Sequence, residues 1–412
     1  MDILASQSAW KQALDILSPI RSYSGSASLP ILNCVLIQAL DSGLTLTRTD
    51  RERQLRAPLH AERVTGQGEV AVDARKLSSI IAALPVAALV RARLGDHGRL
   101  SLTASVGDRA LSRFTLGALP GTDFPLMDAD GGYSAGRTAA RGATPDADAE
   151  PDAAGGEAPE RLTLPGKRLA AALHATSFAM AKADVRYYLN GLLLQWGGAT
   201  LLVVATDGHR LADVGLGLSA TAGNGAAILP RDTVDILARL ASEAGDADLT
   251  LEVRPNRLAC TWSGTELISK LVEGKYPEWR RVVPRHDNPA ARWLLPIADL
   301  AAALGRVKIL SHEQFHGVAM EVREGEPRAL YLSAANTQQD EAEESLALPA
   351  DTEPGRWGFN CDYLQDVIGH CPGTSIDIRL GDSSTSALIT PGMASDDPGM
   401  DAPEWVVMPM LL

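Results

Sequence analysis

The sequence predicts an α+β protein made of three tandem copies of one domain, each packing two helices against antiparallel sheets. Three observations predict it. The first is a recurring order of segments, at intervals of about 120–160 residues. An amphipathic helical stretch leads into an apolar strand pair that ends in a polar turn, and a second helical stretch and further strands follow. The second is the turn itself. Thr49-Asp50, Thr206-Asp207 and Asn336-Thr337 fall at the same point of the segments 29–55, 186–214 and 315–346. The third is length, since 412 residues hold about two to four domains. The period is too long for a solenoid. A tandem of equal domains supplies geometry rather than one catalytic cleft.

Taken in order, SAWKQALDILSPI places Trp10, Leu14 and Leu17 on one helical face. ARKLSSIIAAL does the same with Leu77, Ile80, Ile81 and Leu84, and GALPGTDFPLM closes the first domain at Phe124-Pro125. The next stretch, 128–160, is rich in Ala, Gly, Pro and Asp and has almost no large apolar side chain. It cannot bury enough surface to offset the entropy of ordering, so it reads as a disordered insert. GKRLAAALHATSFAMAKA gathers Leu169, Leu173, Thr176 and Met180. The strands LNGLLLQW, TLLVVAT and LYLSAA are almost wholly apolar. KYPEWRRVVPRHDNP, with Tyr276-Pro277, repeats the aromatic-Pro exit. The domains are therefore expected at 1–127, 161–283 and 284–412.

Basic residues sit off the apolar stripes: Lys11, Arg75, Lys76, Lys167, Arg168, Lys182, Arg231, Arg239, Arg306 and Lys308. They read either as solvated helix faces or as a basic lane for a phosphate backbone. A net charge of −13 argues against nonspecific adhesion over the whole surface but leaves a local basic face open. Cys34, Cys260, Cys361 and Cys371 form no CxxC pair and no metal spacing, as expected for reduced thiols. No apolar run is long enough to span a bilayer, and MDILASQSAWKQ is not a signal peptide. A cytoplasmic protein without cofactor or metal is expected.

Chemistry is sparse. In ATDGHRL, Asp207 and His209 could form a dyad or bind a metal, yet no further ligand stands at the right spacing. The phosphate-loop pattern GxxxxGK[ST] is missing. The plainer reading is a turn at Asp207-Gly208, with glycine at positive φ. The apolar run EWVVMPMLL is expected either to dock on its own domain as a strand or to offer an adaptable, methionine-lined binding surface.

Together DVRYYLNG, VATDGHRLA, SKLVEGKYPEWRRVVP, DEAEE and VVMPM, with LPIL and ILSHEQFHGV, resemble the bacterial DNA polymerase III beta subunit, the sliding-clamp family. The match is collinear and spares only 128–160. The resemblance implies three DNA-clamp domains per subunit and a homodimer closed head to tail into a ring. Helices would line the hole and antiparallel sheets would form the outside. It implies a non-catalytic processivity factor that encircles double-stranded DNA without reading sequence. Its partners would be the polymerase III alpha subunit, the clamp-loader delta subunit and other proteins with a clamp-binding motif, and no membrane is involved.

Carried over by motif, the partner-peptide pocket comprises Arg186, Tyr188, Leu189, Thr206, Gly208, His209, Arg210, Leu211, Pro277, Arg281, Val282, Tyr363, Ser386, Val406, Met408, Pro409 and Met410. Arginine and histidine are expected at its rim. DNA would face Lys11, Arg21, Arg75, Lys76, Lys167, Arg168, Lys182 and Arg231. The dimer seam would join Phe114 and Leu116 to Ile309 and Leu310. Leu411 stands where the family usually has arginine, and Asp232 stands where a basic residue is common. Two other readings compete: a clamp paralogue with altered partner choice, and an Asp/His-dependent hydrolase. Solution mass separates the first from a ring, and replacing His209 separates the second.

Overall fold

A computed structural model describes residues 1–21, 29–95, 98–127, 133–135 (backbone only), 159–285, 289–324, 329–348, 353–393 and 397–411. Most of the expected 128–160 insert lies outside these residues. Two parts of it do not: Tyr133–Ala135 pairs antiparallel with Pro125–Met127, and a strand already begins at Glu160.

Each of the six α-helices among the described residues grows directly out of a strand. Helix α1 (Gln7–Leu17) follows Asp2–Ser6, and α2 (Ala74–Ala83) follows Gly68–Asp73. Helix α3 (Gly166–Thr176) follows Glu160–Pro165, and α4 (Arg231–Ala244) follows Arg210–Pro230. Helix α5 (Ile297–Val307) follows Ala291–Pro296, and α6 (Cys361–His370) follows Gly355–Asn360. Local chemistry makes the switch in two ways. Ser6, Asp73 and Asn360 accept backbone N–H groups of the first turn. Pro165, Pro230 and Pro296 instead fix φ near the value a helix entrance needs. The helices pack in pairs, α1 with α2, α3 with α4, and α5 with α6, two to a domain as the sequence predicts.

The chain divides into two compact units. The first comprises residues 1–161 and 249–271. Its antiparallel sheet runs Asp248–Arg254, Arg257–Trp262, Thr265–Lys270, Arg53–Pro58, Gly43–Thr49, Cys34–Leu40, Gly68–Asp73 and Arg109–Pro120, then on through Arg99–Val106, Leu89–Gly95 and Asp2–Ser6 to Arg63–Thr65. Trp10 and Leu17 of α1 and Leu77 of α2 are fully buried, whereas Ile80 is half-exposed at the stripe's edge. Strand Arg109–Pro120 pairs with Arg99–Val106 on one side, but on the other, among the described residues, only 118–120 pair, with Gly68–Asp73.

The second unit comprises residues 162–248 and 272–412. One sheet orders Gly191–Thr206, Arg210–Pro230, Glu404–Val407, Ala387–Pro391, Ser375–Leu380 and Ala291–Pro296. The other orders Glu341–Ala347, Ala329–Ala335, Gly317–Val322 and Gly355–Asn360. Leu169, Leu173, Thr176 and Met180 are buried as expected, with Met180 beyond the end of α3.

The marker turn is one device used three times. Thr49 Oγ1 donates to the Arg53 carbonyl at 2.8 Å, and Thr206 Oγ1 to the Arg210 carbonyl at 2.6 Å. Asp50 accepts the N–H groups of Glu52 and Arg53 and the Arg53 guanidinium; Asp207 accepts those of His209 and Arg210 and the Arg210 guanidinium. In the third copy Asn336 Oδ1 accepts from the N–H groups of Gln338 and Asp340. Asn336 thus stands at the aspartate position, one residue from the Thr-for-Asn register the sequence suggests. The hydrogen-bonding role sets the equivalence. Arg51 and Gly208 occupy the same left-handed place, at φ 72° and 90°.

Candidate functional site

The turn at 206–210 opens onto a cavity of about 160 Å³ within the second unit. Its floor is the apolar face of the sheet. Leu193, Val204, Leu211, Ile228, Leu388 and Val406 cluster there with Leu189, Tyr276 and Trp279, all buried. Tyr276 holds the strand end by accepting the Thr206 N–H at 3.0 Å on its phenol oxygen, and burial pushes that phenol's pKa well up.

Of the residues expected here, Arg186, Leu189, Thr206, Gly208, Arg210, Leu211, Pro277, Val282, Val406 and Met408 line the cavity. Tyr188 packs half-buried against the cluster behind it. His209 lies just outside, its ring stacked on Tyr363 at 6.1 Å and its carbonyl accepting the Met408 N–H at 2.9 Å. Arg281 is exposed, and Ser386, Pro409 and Met410 are half-buried; none of these four lines the cavity. Glu278 and Trp279 do line it and were not expected. The signal for Trp279 was its place between Pro277 and Arg281, in a motif otherwise read for proline and arginine.

The arginines divide. Arg186 is a true rim residue. It chelates Asp184 at 3.0 and 2.8 Å, which holds that carboxyl down at about 2. A Cβ at Gly208 would meet its Nη2 at 3.0 Å, so glycine serves both the turn's φ and this close approach. Arg210 corrects the expectation of an arginine at the rim, because it is only 7 % exposed. It bonds Asp207, Asp366 and the Phe178 carbonyl, and its guanidinium lies over the rings of Tyr363 (4.7 Å) and Phe178 (5.3 Å). The cross-link stitches the turn to α6 and to the end of α3. Asp207 is fully engaged by the turn and by Arg210. Asp50 repeats that arrangement in the first unit, as a folding device would, and no group of three metal-ligating side chains occurs among the described residues.

The 404–412 run docks on its own domain as a strand. Glu404–Val407 is an interior strand, paired with Arg210–Asp213 on one side and Ala387–Ile389 on the other. Trp405 is fully buried and donates from Nε1 to the Ala175 carbonyl of α3 at 2.9 Å. Past the strand, Met408 turns into the cavity wall, the Met410 N–H bonds the Gly358 carbonyl, and Leu411 is wholly exposed.

The basic residues off the helical stripes are unevenly committed. Arg21, Arg75, Lys76 and Lys182 are exposed. Lys11 pairs with Asp15, Lys167 with Asp246, and Arg168 makes a two-bonded pair with Asp397. Arg231 is partly buried and donates to the carbonyls of Met180 and Ala181 at 2.8 Å. Phe114 and Leu116 are half-buried on the strand with the open edge, Ile309 is 77 % exposed, and Leu310 is half-buried. Among the described residues no helix is long and apolar enough to cross a membrane.

The fold is three tandem α+β domains with an apolar cavity walled in part by Val406 and Met408. Models of the DNA polymerase III beta subunit match in all three parts: the N-terminal domain at residues 16–128, the central domain at 163–278 and the C-terminal domain at 280–410. The beta sliding clamp of Salmonella typhimurium is 33 % identical over 406 residues, covering 96 % of this chain and 98 % of that one; the clamp of Escherichia coli K12 is 33 % identical over 401 residues with the same coverage. Among solved structures, a sliding clamp from Pseudomonas aeruginosa bound to griselimycin superposes with a TM-score of 0.84 at 31 % identity, over 100 % of both chains. The Caulobacter crescentus beta subunit gives 0.80 at 28 %, again over 100 % of both. The chain belongs to the DNA polymerase III beta subunit family, the bacterial beta sliding clamps. Its function is that of a DNA sliding clamp, the processivity factor of replication.

Proposed function

We propose that two copies close head to tail into a ring around duplex DNA in the cytoplasm, and that the ring works without catalysis. The observation that carries this is a pair of unfilled sheet edges. Among the described residues, one edge of Arg109–Pro120 is open before residue 118, and Glu341–Ala347 pairs only with Ala329–Ala335. Such edges invite uncontrolled pairing unless something covers them. Ile309, exposed on the short turn that touches Glu341–Ala347, supplies an apolar group beside one edge, and Phe114 and Leu116 lie along the other. Pairing the two edges between copies fills both, and the contact closes after two subunits.

DNA would be held by topology, with Arg75, Lys76, Lys182 and Arg21 as the exposed phosphate contacts and Lys11 and Lys167 as weaker ones, since each shares its charge with an acid. Arg168 and Arg231 are assigned chiefly to holding the fold. The cavity would receive short linear motifs of the polymerase alpha subunit, the clamp-loader delta subunit and other clamp-binding proteins. Its apolar floor suits a leucine or phenylalanine side chain. The occupation of Asp207 by its own turn supports a non-catalytic reading. The test is retention after loading. The protein should stay on closed circular DNA and leave linear DNA with free ends, and equal retention on both would overturn the ring.

A further inference from the structure

Beside the apolar cavity lies a second, polar one that the proposed function does not use. It has a volume of about 610 Å³ and is lined by Gln195, Trp196, Thr200, Asn224, Gly225 and Arg280. Adjacent residues of a single short turn, Trp279 and Arg280, wall the two cavities. The niche is shaped by missing side chains. A Cβ at Gly225 would lie 2.3 Å from the Trp196 ring, and one at Gly197 would lie 2.6 Å from Asn224 Oδ1.

Arg280 is the centre of its chemistry. Its guanidinium lies over the Trp279 ring at 4.4 Å, and Nη1 donates to Gln195 Oε1 at 3.0 Å. Among the described residues no carboxylate reaches it within ion-pair distance, although the chain is acidic overall and many of its other arginines hold an acid. Asp213, which feels the Arg280 charge, is itself buried, and the cost of burial opposes its ionisation. A stacked guanidinium tied by one neutral amide is already oriented and keeps most of its donors. Such a fork suits a carboxylate, and the neighbouring amides and hydroxyl can complete the ligand's hydrogen bonds.

We infer that this niche takes a carboxylate carried by the partner peptide beside its apolar anchor, so that one peptide occupies both cavities by crossing Trp279. The inference rests on reading the apolar cavity as a peptide pocket. Arg280 is then a specificity determinant that selects acid-flanked motifs.

The experiment uses the full-length protein and fluorescent synthetic peptides. Each carries a glutamine followed by a leucine- and phenylalanine-rich segment, with Glu or Gln placed at successive positions on either side. At one position the Glu peptide should bind about fivefold more tightly than its Gln twin, as a preorganised ion pair allows. Arg280→Gln should bring the ratio to about one while leaving the Gln peptide's affinity in place. Arg280→Lys should keep part of it, because an ammonium lacks the fork. Lys275→Gln, which removes an equal charge from an exposed neighbour, should leave the ratio intact. In the wild-type chain the ratio should shrink as salt rises. A preference that survives Arg280→Gln, a salt-independent ratio, or no preference at any position would overturn the inference alone. If neither peptide binds the wild-type chain, the pocket reading fails and this inference falls with it.

Discussion

Replacing Asp213 with asparagine should flatten the pH dependence of stability in the second unit. Asp213 sits on Arg210–Pro230 directly across from Glu404, is 8 % exposed, and has one carboxylate oxygen buried without a hydrogen-bond partner. Burial first, then the neighbouring charge of Glu404, push its carboxyl from 3.8 up to about 7. The folded state therefore keeps a proton that the unfolded chain gives up above pH 3.8. Because the folded value is raised, the associated stability is full below that point and is lost as the pH climbs towards 7. With about 1.4 kcal/mol for each pH unit between the two midpoints, the whole effect approaches ~4 kcal/mol. Between about pH 5 and about pH 8 the wild-type chain should lose roughly 2–3 kcal/mol through this group alone. Asp213→Asn removes the ionisation, so the variant should gain on the wild type by that amount over the same interval. Urea unfolding followed by tryptophan fluorescence reads it, since Trp405 lies in the strand that Asp213 flanks. Equal pH slopes for the two proteins would show that Asp213 is charged in the folded state and that the argument from burial is wrong.

Three further outcomes follow from the edges and the cavity. Ile309→Asp with Leu310→Asp should shift the protein from dimer to monomer in sedimentation, because unpaired charge would be buried at the seam; a dimer that survives would move the seam elsewhere. Deleting residues 408–412 should weaken binding of the apolar peptide at least tenfold, since Met408 walls the cavity, and should leave the dimer intact. Leu411→Arg should then favour acid-flanked peptides less than Arg280 does, because position 411 points wholly to solvent.

The repeat was legible in the sequence because its markers are local. Thr-Asp before a turn, aromatic-Pro at a domain exit and apolar helix stripes each depend on a handful of neighbouring residues. Phe124 and Tyr276, read as equivalent exits, are both buried in apolar clusters of their own units. The site was legible only by type. That Arg210 would be interior and Arg186 peripheral depends on Asp366 and Phe178, 156 and 32 residues away from Arg210. No spacing rule reports such distances. Trp279 was missed for the same reason: its burial comes from a cluster with residues of distant strands, such as Val204, Ile228 and Val406, not from its own motif. The commitment of Arg231 to two carbonyls was likewise hidden, because backbone acceptors carry no residue signature.

The strand Glu404–Val407 gives the molecule an order in time. Its two neighbours, Arg210–Asp213 and Ala387–Ile389, are synthesised before it, and the earlier one waits for almost 200 residues of further chain. Until residue 404 arrives, the second domain offers a raw strand edge and the cavity lacks Val406 and Met408. A product cut short anywhere upstream therefore cannot form the finished cavity, however well its helices have packed. The cavity is thus completed only once residues 404–408 have been made, long after its first wall.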